Sequence, residues 1–114
     1  MSADRRGTYR STINRFALGN SEITTILDGG HIRTPINPPF AMDKSEDEIV
    51  AIAVTNHLPS HGFENSYTPT ILNIGGQTVL IDTGFGESGH GNNAGNLRRR
   101  MALAGFAPED IDIV

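Results

Sequence analysis

The chain has 114 residues, enough for one small domain with a modest core. Its net charge of −4 and its lack of a basic stripe argue against a nucleic-acid partner. The absence of Cys excludes disulfides and thiolate metal sites, so a metal would need His and carboxylate ligands. No apolar run has the length of a membrane span or the shape of a signal peptide, and a cytoplasmic location is the expectation.

Residues 1–15 are polar and Arg-rich and read as a flexible arm, with a folded unit expected over 16–114. Ile23, Ile26 and Leu27, interleaved with Thr24 and Thr25, favour a strand, which Asp28-Gly29-Gly30 then turns. Pro35, Pro38 and Pro39 dictate a long loop, because each lacks an amide donor and has its φ fixed. Ser45 and Glu48 have capping-box spacing, and the apolar positions Ile49, Val50, Ile52 and Ala53 extend a helix over 46–54.

The runs Thr70 to Ile74 and Thr78 to Asp82, joined through Gly75-Gly76, form a predicted hairpin. Val79, Leu80 and Ile81 are consecutive apolar residues, the pattern of a strand covered on both faces. The glycine-rich stretch that follows is expected to be irregular. A helix is then predicted over 94–104, ended by Gly105 in an αL cap, and Ile111 to Val114 begins another strand.

Four groups of residues are candidates for chemistry. Gly84-Phe85-Gly86-Glu87-Ser88-Gly89 has dinucleotide-fingerprint spacing, but His90 to Asn93 places loop where the pyrophosphate-binding helix should start. His57 and His61 are four apart, yet Pro59 between them prevents a helical zinc motif; with Phe63 they are candidates for a substrate-cavity loop. Arg98, Arg99 and Arg100 read as the solvated side of a helix. Asp82, with Thr83 and Gly84, is the most suggestive group. A carboxylate closing an apolar strand needs donors, and the amide of Gly84 or Phe85 can supply one.

The order of strand, Gly-Gly turn, VLIDTGFG at Val79 to Gly86, glycine-rich loop, and helix ending in AGFAPEDIDIV resembles the metallo-β-lactamase-fold hydrolase superfamily. Residues 65–114 carry most of the likeness. ILDGG at Ile26 to Gly30 is similar to its organophosphate-hydrolase and lactonase-like branches. The resemblance implies an α/β fold: the N-terminal portion of a four-layer αββα sandwich, truncated before the metal-binding motif His-x-His-x-Asp-His. It implies that Asp82, Thr83 and Gly84 support the metal loop without ligating metal.

For the full-length protein it implies zinc or another divalent metal, and hydrolysis of an ester, lactone, thioester or phosphoester in a small-molecule substrate. The 114-residue chain alone is expected to bind no metal and to be inactive, with no catalytic residue of its own. The alternatives are a non-catalytic binding module, or a nucleotide-binding domain built on Gly84 to Gly89. The sequence leaves the oligomeric state open.

Overall fold

A computed structural model describes residues 3–38 and 40–114. Residues 3–12 have no regular structure, and the first strand, β1 (Ile13–Leu18), starts inside the stretch expected to be an arm. It is followed by β2 (Ser21–Ile26), β3 (Gly29–Arg33), α1 (Glu46–Thr55), β4 (Phe63–Tyr67), β5 (Thr70–Ile74), β6 (Gln77–Ile81) and α2 (Leu97–Leu103). Short 3₁₀ turns occupy Gly86–Asn92 and Pro108–Asp110. Four strands form an antiparallel sheet in the order β1-β2-β5-β6, and β3 pairs with β4 as a separate antiparallel ribbon.

The β5–β6 hairpin turns on Gly75 and Gly76, whose φ values of 57° and 76° suit glycine at both central positions of a tight turn. Its register places Ile71 opposite Leu80, and β2 places Thr24 opposite Ile71. Cross-strand partners share a face, so Thr24, Ile71 and Leu80 point to one side, where α2 adds Leu97 and Met101. Ile26, from the end of β2, completes this core, and Ala104, Phe106 and Ile111 pack around it.

The opposite face carries Phe16, Ile23, Leu72 and Val79 in one row across the four strands. Phe16 and Ile81 remain about half exposed, which corrects the expectation that β6 is covered on both faces. Only Leu80 of its apolar triplet is buried. The three consecutive apolar residues therefore do not report two covering layers among the described residues.

The capping box at α1 forms as its spacing predicts. Glu48 N donates to Ser45 Oγ at 3.3 Å, and Ser45 N donates to Glu48 Oε2 at 2.9 Å. The Ser45 amide and then its hydroxyl hold the exposed Glu48 carboxyl below its ordinary value. Ile49 and Ala53, one turn apart, are the buried positions of this helix, while Ile52 is exposed.

Both helices end in the same way. At α2, Gly105 N donates to Ala102 O and Phe106 N to Met101 O, a Schellman motif with Gly105 at φ 92°. At α1, His57 N donates to Val54 O and Leu58 N to Ala53 O, with His57 at φ 58°. His57 thus occupies a backbone position that glycine adopts without steric penalty. His57→Gly should leave stability unchanged or raise it by up to about 1 kcal/mol, the αL strain relieved; a melting temperature lowered by several degrees would contradict this backbone role.

The predicted helix over 94–104 is shorter, starting at Leu97, because Ala94 to Asn96 are drawn into other hydrogen bonds. The stretch expected to be irregular contains the 3₁₀ turn Gly86–Asn92. The predicted last strand is present as a bridge. Ile113 pairs in parallel with Val79, and Leu80 N donates to Ile113 O at 2.8 Å. None of the described helices is long and apolar enough to cross a membrane.

Candidate functional site

The buried carboxylate of this fold belongs to Asp28 and not to Asp82. Asp82 is exposed at the end of β6, and its Oδ1 accepts the amide of Gly84 at 2.7 Å. It caps its own turn, with φ at 72°, a left-handed conformation that Asp tolerates better than most residues. Asp82 is therefore solvated and carries no burial cost, contrary to the expectation from its place at the end of an apolar strand. Thr83 is exposed beside it, and Gly84 is half-buried at φ 68°.

Asp28 lies between β2 and β3 and is completely buried. Its Oδ2 accepts from Phe85 N at 3.1 Å and Gly95 N at 2.9 Å, and its Oδ1 accepts from Leu97 N at 2.8 Å. The main chain adds to the same hub: Asp28 O accepts from the amide and the side chain of Asn96, and Asp28 N donates to Tyr67 O. Burial opposes the charged form, but the amides of Gly95, Phe85, Leu97 and Asn96 together outweigh it and hold the carboxyl below its ordinary value.

This arrangement also explains how α2 begins. Its N-cap residue, Asn96, makes no capping bond with its own side chain. The cap arrives from Asp28, which accepts the first helical amide and places negative charge at the positive end of the helix. One carboxylate thus ties the turn after β6, the glycine-rich loop and α2 together. Sequence reading missed it because Asp-Gly-Gly is a sufficient turn signal by itself; the clue was a carboxylate placed directly after Ile26 and Leu27.

The glycines around the hub are required by close approach. A Cβ on Gly84 would lie 2.6 Å from Asp28 Oδ1, and one on Gly95 would collide with the carbonyl of Gly86. Asn93 reaches from the loop to β3, donating Nδ2 to Gly30 O at 2.8 Å, while Gly30 N donates to Asn93 O at 3.1 Å. His90 Nε2 lies 3.0 Å from Gly95 O. The loop is glycine-rich because backbone packs on backbone, with side-chain bonds at its corners.

Other candidates fall elsewhere. Phe63 is on the wall of a cleft of about 750 Å³ between the β3–β4 ribbon, the first two strands and the segment after α1. His57 and His61 are exposed and outside that wall, so the structure does not gather the three residues. Of the arginine run, Arg98 and Arg99 are exposed, whereas Arg100 turns inward and donates to the carbonyl of Leu27, contrary to the expected solvated run. Among the described residues no group of three or more His, Asp or Glu could hold a metal ion.

Solved structures match this arrangement. One is AidC, a dizinc quorum-quenching lactonase in complex with the product N-hexanoyl-L-homoserine: 24% identity, TM-score 0.78, covering 89% of this chain and 34% of that one. The chain carries part of the metallo-β-lactamase fold. The hydrolase AbOPH of the β-lactamase superfamily matches similarly, at 24% identity and TM-score 0.77, over 93% of this chain and 36% of its own. No protein-family model matches, and neither does any curated protein sequence.

The chain therefore spans about a third of the length of these relatives, in keeping with the N-terminal portion of that fold. The antiparallel pairing of β5 with β6 also differs from the parallel sheet that a dinucleotide fingerprint serves. In this metallo-β-lactamase setting, Gly84 to Gly89 build the turn over Asp28.

Proposed function

We propose that this chain is the N-terminal part of a metal-dependent hydrolase that cleaves an ester, lactone, thioester or phosphoester bond in a small molecule, with zinc as the metal of the full-length protein. The observation that carries this reading is the match, at TM-scores of 0.78 and 0.77, to two hydrolases of this fold. The residues described here do not fit a metal by themselves, since no three candidate ligands converge. The role of this chain is to build the floor on which such a site is assembled.

Two features support that role. Asp82 holds a left-handed conformation at the strand end, the kind of strain that concentrates at functional sites. Ile113 pairs in parallel with Val79, so its strand runs toward Asp82. In the resembled superfamily that strand leads into the metal-binding motif. Asp82, Thr83 and Gly84 would then brace the metal loop from below, with the Asp28 hub fixing their height.

Purified full-length protein should contain stoichiometric zinc by elemental analysis and hydrolyse a lactone or ester, whereas the 114-residue chain alone should do neither. In the full-length protein, Asp82→Asn should weaken metal occupancy by about 10 to 100-fold, the usual effect of removing a supporting group. Zinc bound by the short chain, or a full-length protein without metal or hydrolysis, would overturn the reading. Unchanged occupancy in the variant would reduce Asp82 to a turn cap.

A further inference from the structure

The four-stranded sheet has one open side. Ile113 meets β6 at one edge, whereas β1 has β2 on one side and no strand on the other among the described residues. The hairpin fixes which backbone groups of β1 point outward. Leu18 and Ser21 flank the two-residue turn Gly19-Asn20 and so form a hydrogen-bonded pair, and Leu27 N donates to Thr12 O in the same phase. Thr12, Asn14, Phe16 and Leu18 therefore turn their polar backbone groups toward β2, while Ile13, Arg15 and Ala17 turn theirs away. Ser11 Oγ accepts from Ile13 N and donates to Ile13 O. The outward amides and carbonyls of Arg15 and Ala17 have no partner among the described residues.

This edge also lacks the guards that keep sheets from pairing. β1 contains no Pro and no Lys. Its one charged residue, Arg15, is drawn across the α2 face of the sheet. Arg15 Nε donates to Thr24 Oγ1 at 2.9 Å and lies 3.6 Å from Glu22 Oε1, and its guanidinium carbon is 5.4 Å from the centre of the Phe106 ring. On the opposite face Phe16 and Leu18 are half or more exposed. A free ladder with apolar side chains beside it is the surface to which a further strand adds.

We infer that the added strand is β1 of a second copy of this chain, paired antiparallel about a two-fold axis. Paired residues share a face, so even-numbered positions meet even-numbered ones and the axis passes through a residue. Two registers use most of the strand. The one centred on Arg15 sets two guanidinium groups opposite each other, which is repulsive. The one centred on Phe16 sets Phe16 against its own copy, Asn14 against Leu18 and Arg15 against Ala17.

In that register the free backbone groups of Arg15 and Ala17 satisfy each other. The incoming cation lands beside Ala17, whose neighbour on β2 and on the same face is Glu22. The Phe16 rings meet at a position without ladder bonds, where cross-strand side chains are closest. β1 thus complements itself in hydrogen bonding, charge and apolar surface. The inference requires no metal and stands apart from the hydrolase reading.

Sedimentation equilibrium of the full-length protein tests it. Wild type should show a monomer–dimer equilibrium in the micromolar range, since a contact one strand wide is smaller than the ~1,200 Å² of standard interfaces. Phe16→Glu should weaken the dimer by about tenfold or more, because it removes the ring pair and opposes two carboxylates on the axis. Ala17→Pro removes an amide that points only outward, so the pairing of β1 with β2 should survive while association falls by a similar factor. Circular dichroism checks that both variants fold. Amide hydrogen exchange of the wild type needs no variant: protection at Arg15 and Ala17 should rise with protein concentration, whereas Phe16 and Leu18 should be protected throughout.

A wild type that stays monomeric at about 100 μM would overturn the inference. So would a dimer that survives in folded Ala17→Pro, or one that leaves exchange at Arg15 and Ala17 independent of concentration; either would place the contact on the apolar face of the sheet and not on its edge. A monomer that binds zinc and hydrolyses a lactone would remove this inference and leave the hydrolase reading standing.

Discussion

Replacing Asp28 by Asn should destabilise the fold by about 3 to 5 kcal/mol, because no amide orientation satisfies all three backbone donors. One oxygen serves Phe85 and Gly95 and the other serves Leu97. An Asn that keeps its oxygen toward Phe85 and Gly95 points its NH₂ at the Leu97 amide. The flipped Asn points it at two. Each buried donor left unpaired costs about 1 to 3 kcal/mol, and the lost charge weakens the bonds that remain. Urea unfolding followed by circular dichroism measures the loss; a change below about 1 kcal/mol would show that the hub is not holding these segments together.

The same residue sets an acid limit. The folded state holds the Asp28 carboxyl below its ordinary value of 3.8, so folding favours the charged form. That stabilisation is fully present above the unfolded value, and it is lost as pH falls below 3.8 and through the lower folded value. Stability measured from pH 5 downward should therefore fall less steeply in Asp28→Asn than in wild type. Parallel curves would assign the acid sensitivity to other groups.

Gly84→Ala is expected to be nearly as damaging, and for a steric reason. The new methyl would lie 2.6 Å from Asp28 Oδ1 and 2.7 Å from its carboxyl carbon. A flexible side chain could swing away, but Asp28 is completely buried and held by three amides. The φ of 68° adds about 1 kcal/mol of backbone strain for any residue with a Cβ. Together these give a loss of about 2 to 4 kcal/mol, of the order found for overpacking with a backbone penalty. A thermal melt within two degrees of wild type would mean that the turn can shift without disturbing Asp28.

Much of the fold could be read locally. The Ser45 and Glu48 spacing marks the start of α1 because both halves of the capping box lie within one turn of chain. Gly75-Gly76 marks the β5–β6 hairpin, and Gly105 the end of α2, for the same reason. What escaped depends on distant partners. The start of α2 is fixed by Asp28, 69 positions away, so the helical pattern from Ala94 onward could not place it.

The candidate site divides in the same way. Asp82 bonds an amide two residues on, and its turn-capping role was foreseeable from VLIDTGFG alone. The buried role of Asp28 was not, since a lone Asp-Gly-Gly reads as a turn whether or not its carboxylate is solvated. His57 looked like chemistry because of its residue type, and its position is explained by backbone conformation at a helix end.

The reach of Asp28 also orders the assembly of this region. The β5–β6 hairpin closes across two glycines and needs only local encounters, whereas the carboxylate meets its amides across 57 to 69 positions of chain. Closing so long a loop is entropically expensive and slow compared with hairpin formation. The strand half of VLIDTGFG can thus form early, while its glycine half acquires its shape only when the first and last thirds of the chain have met.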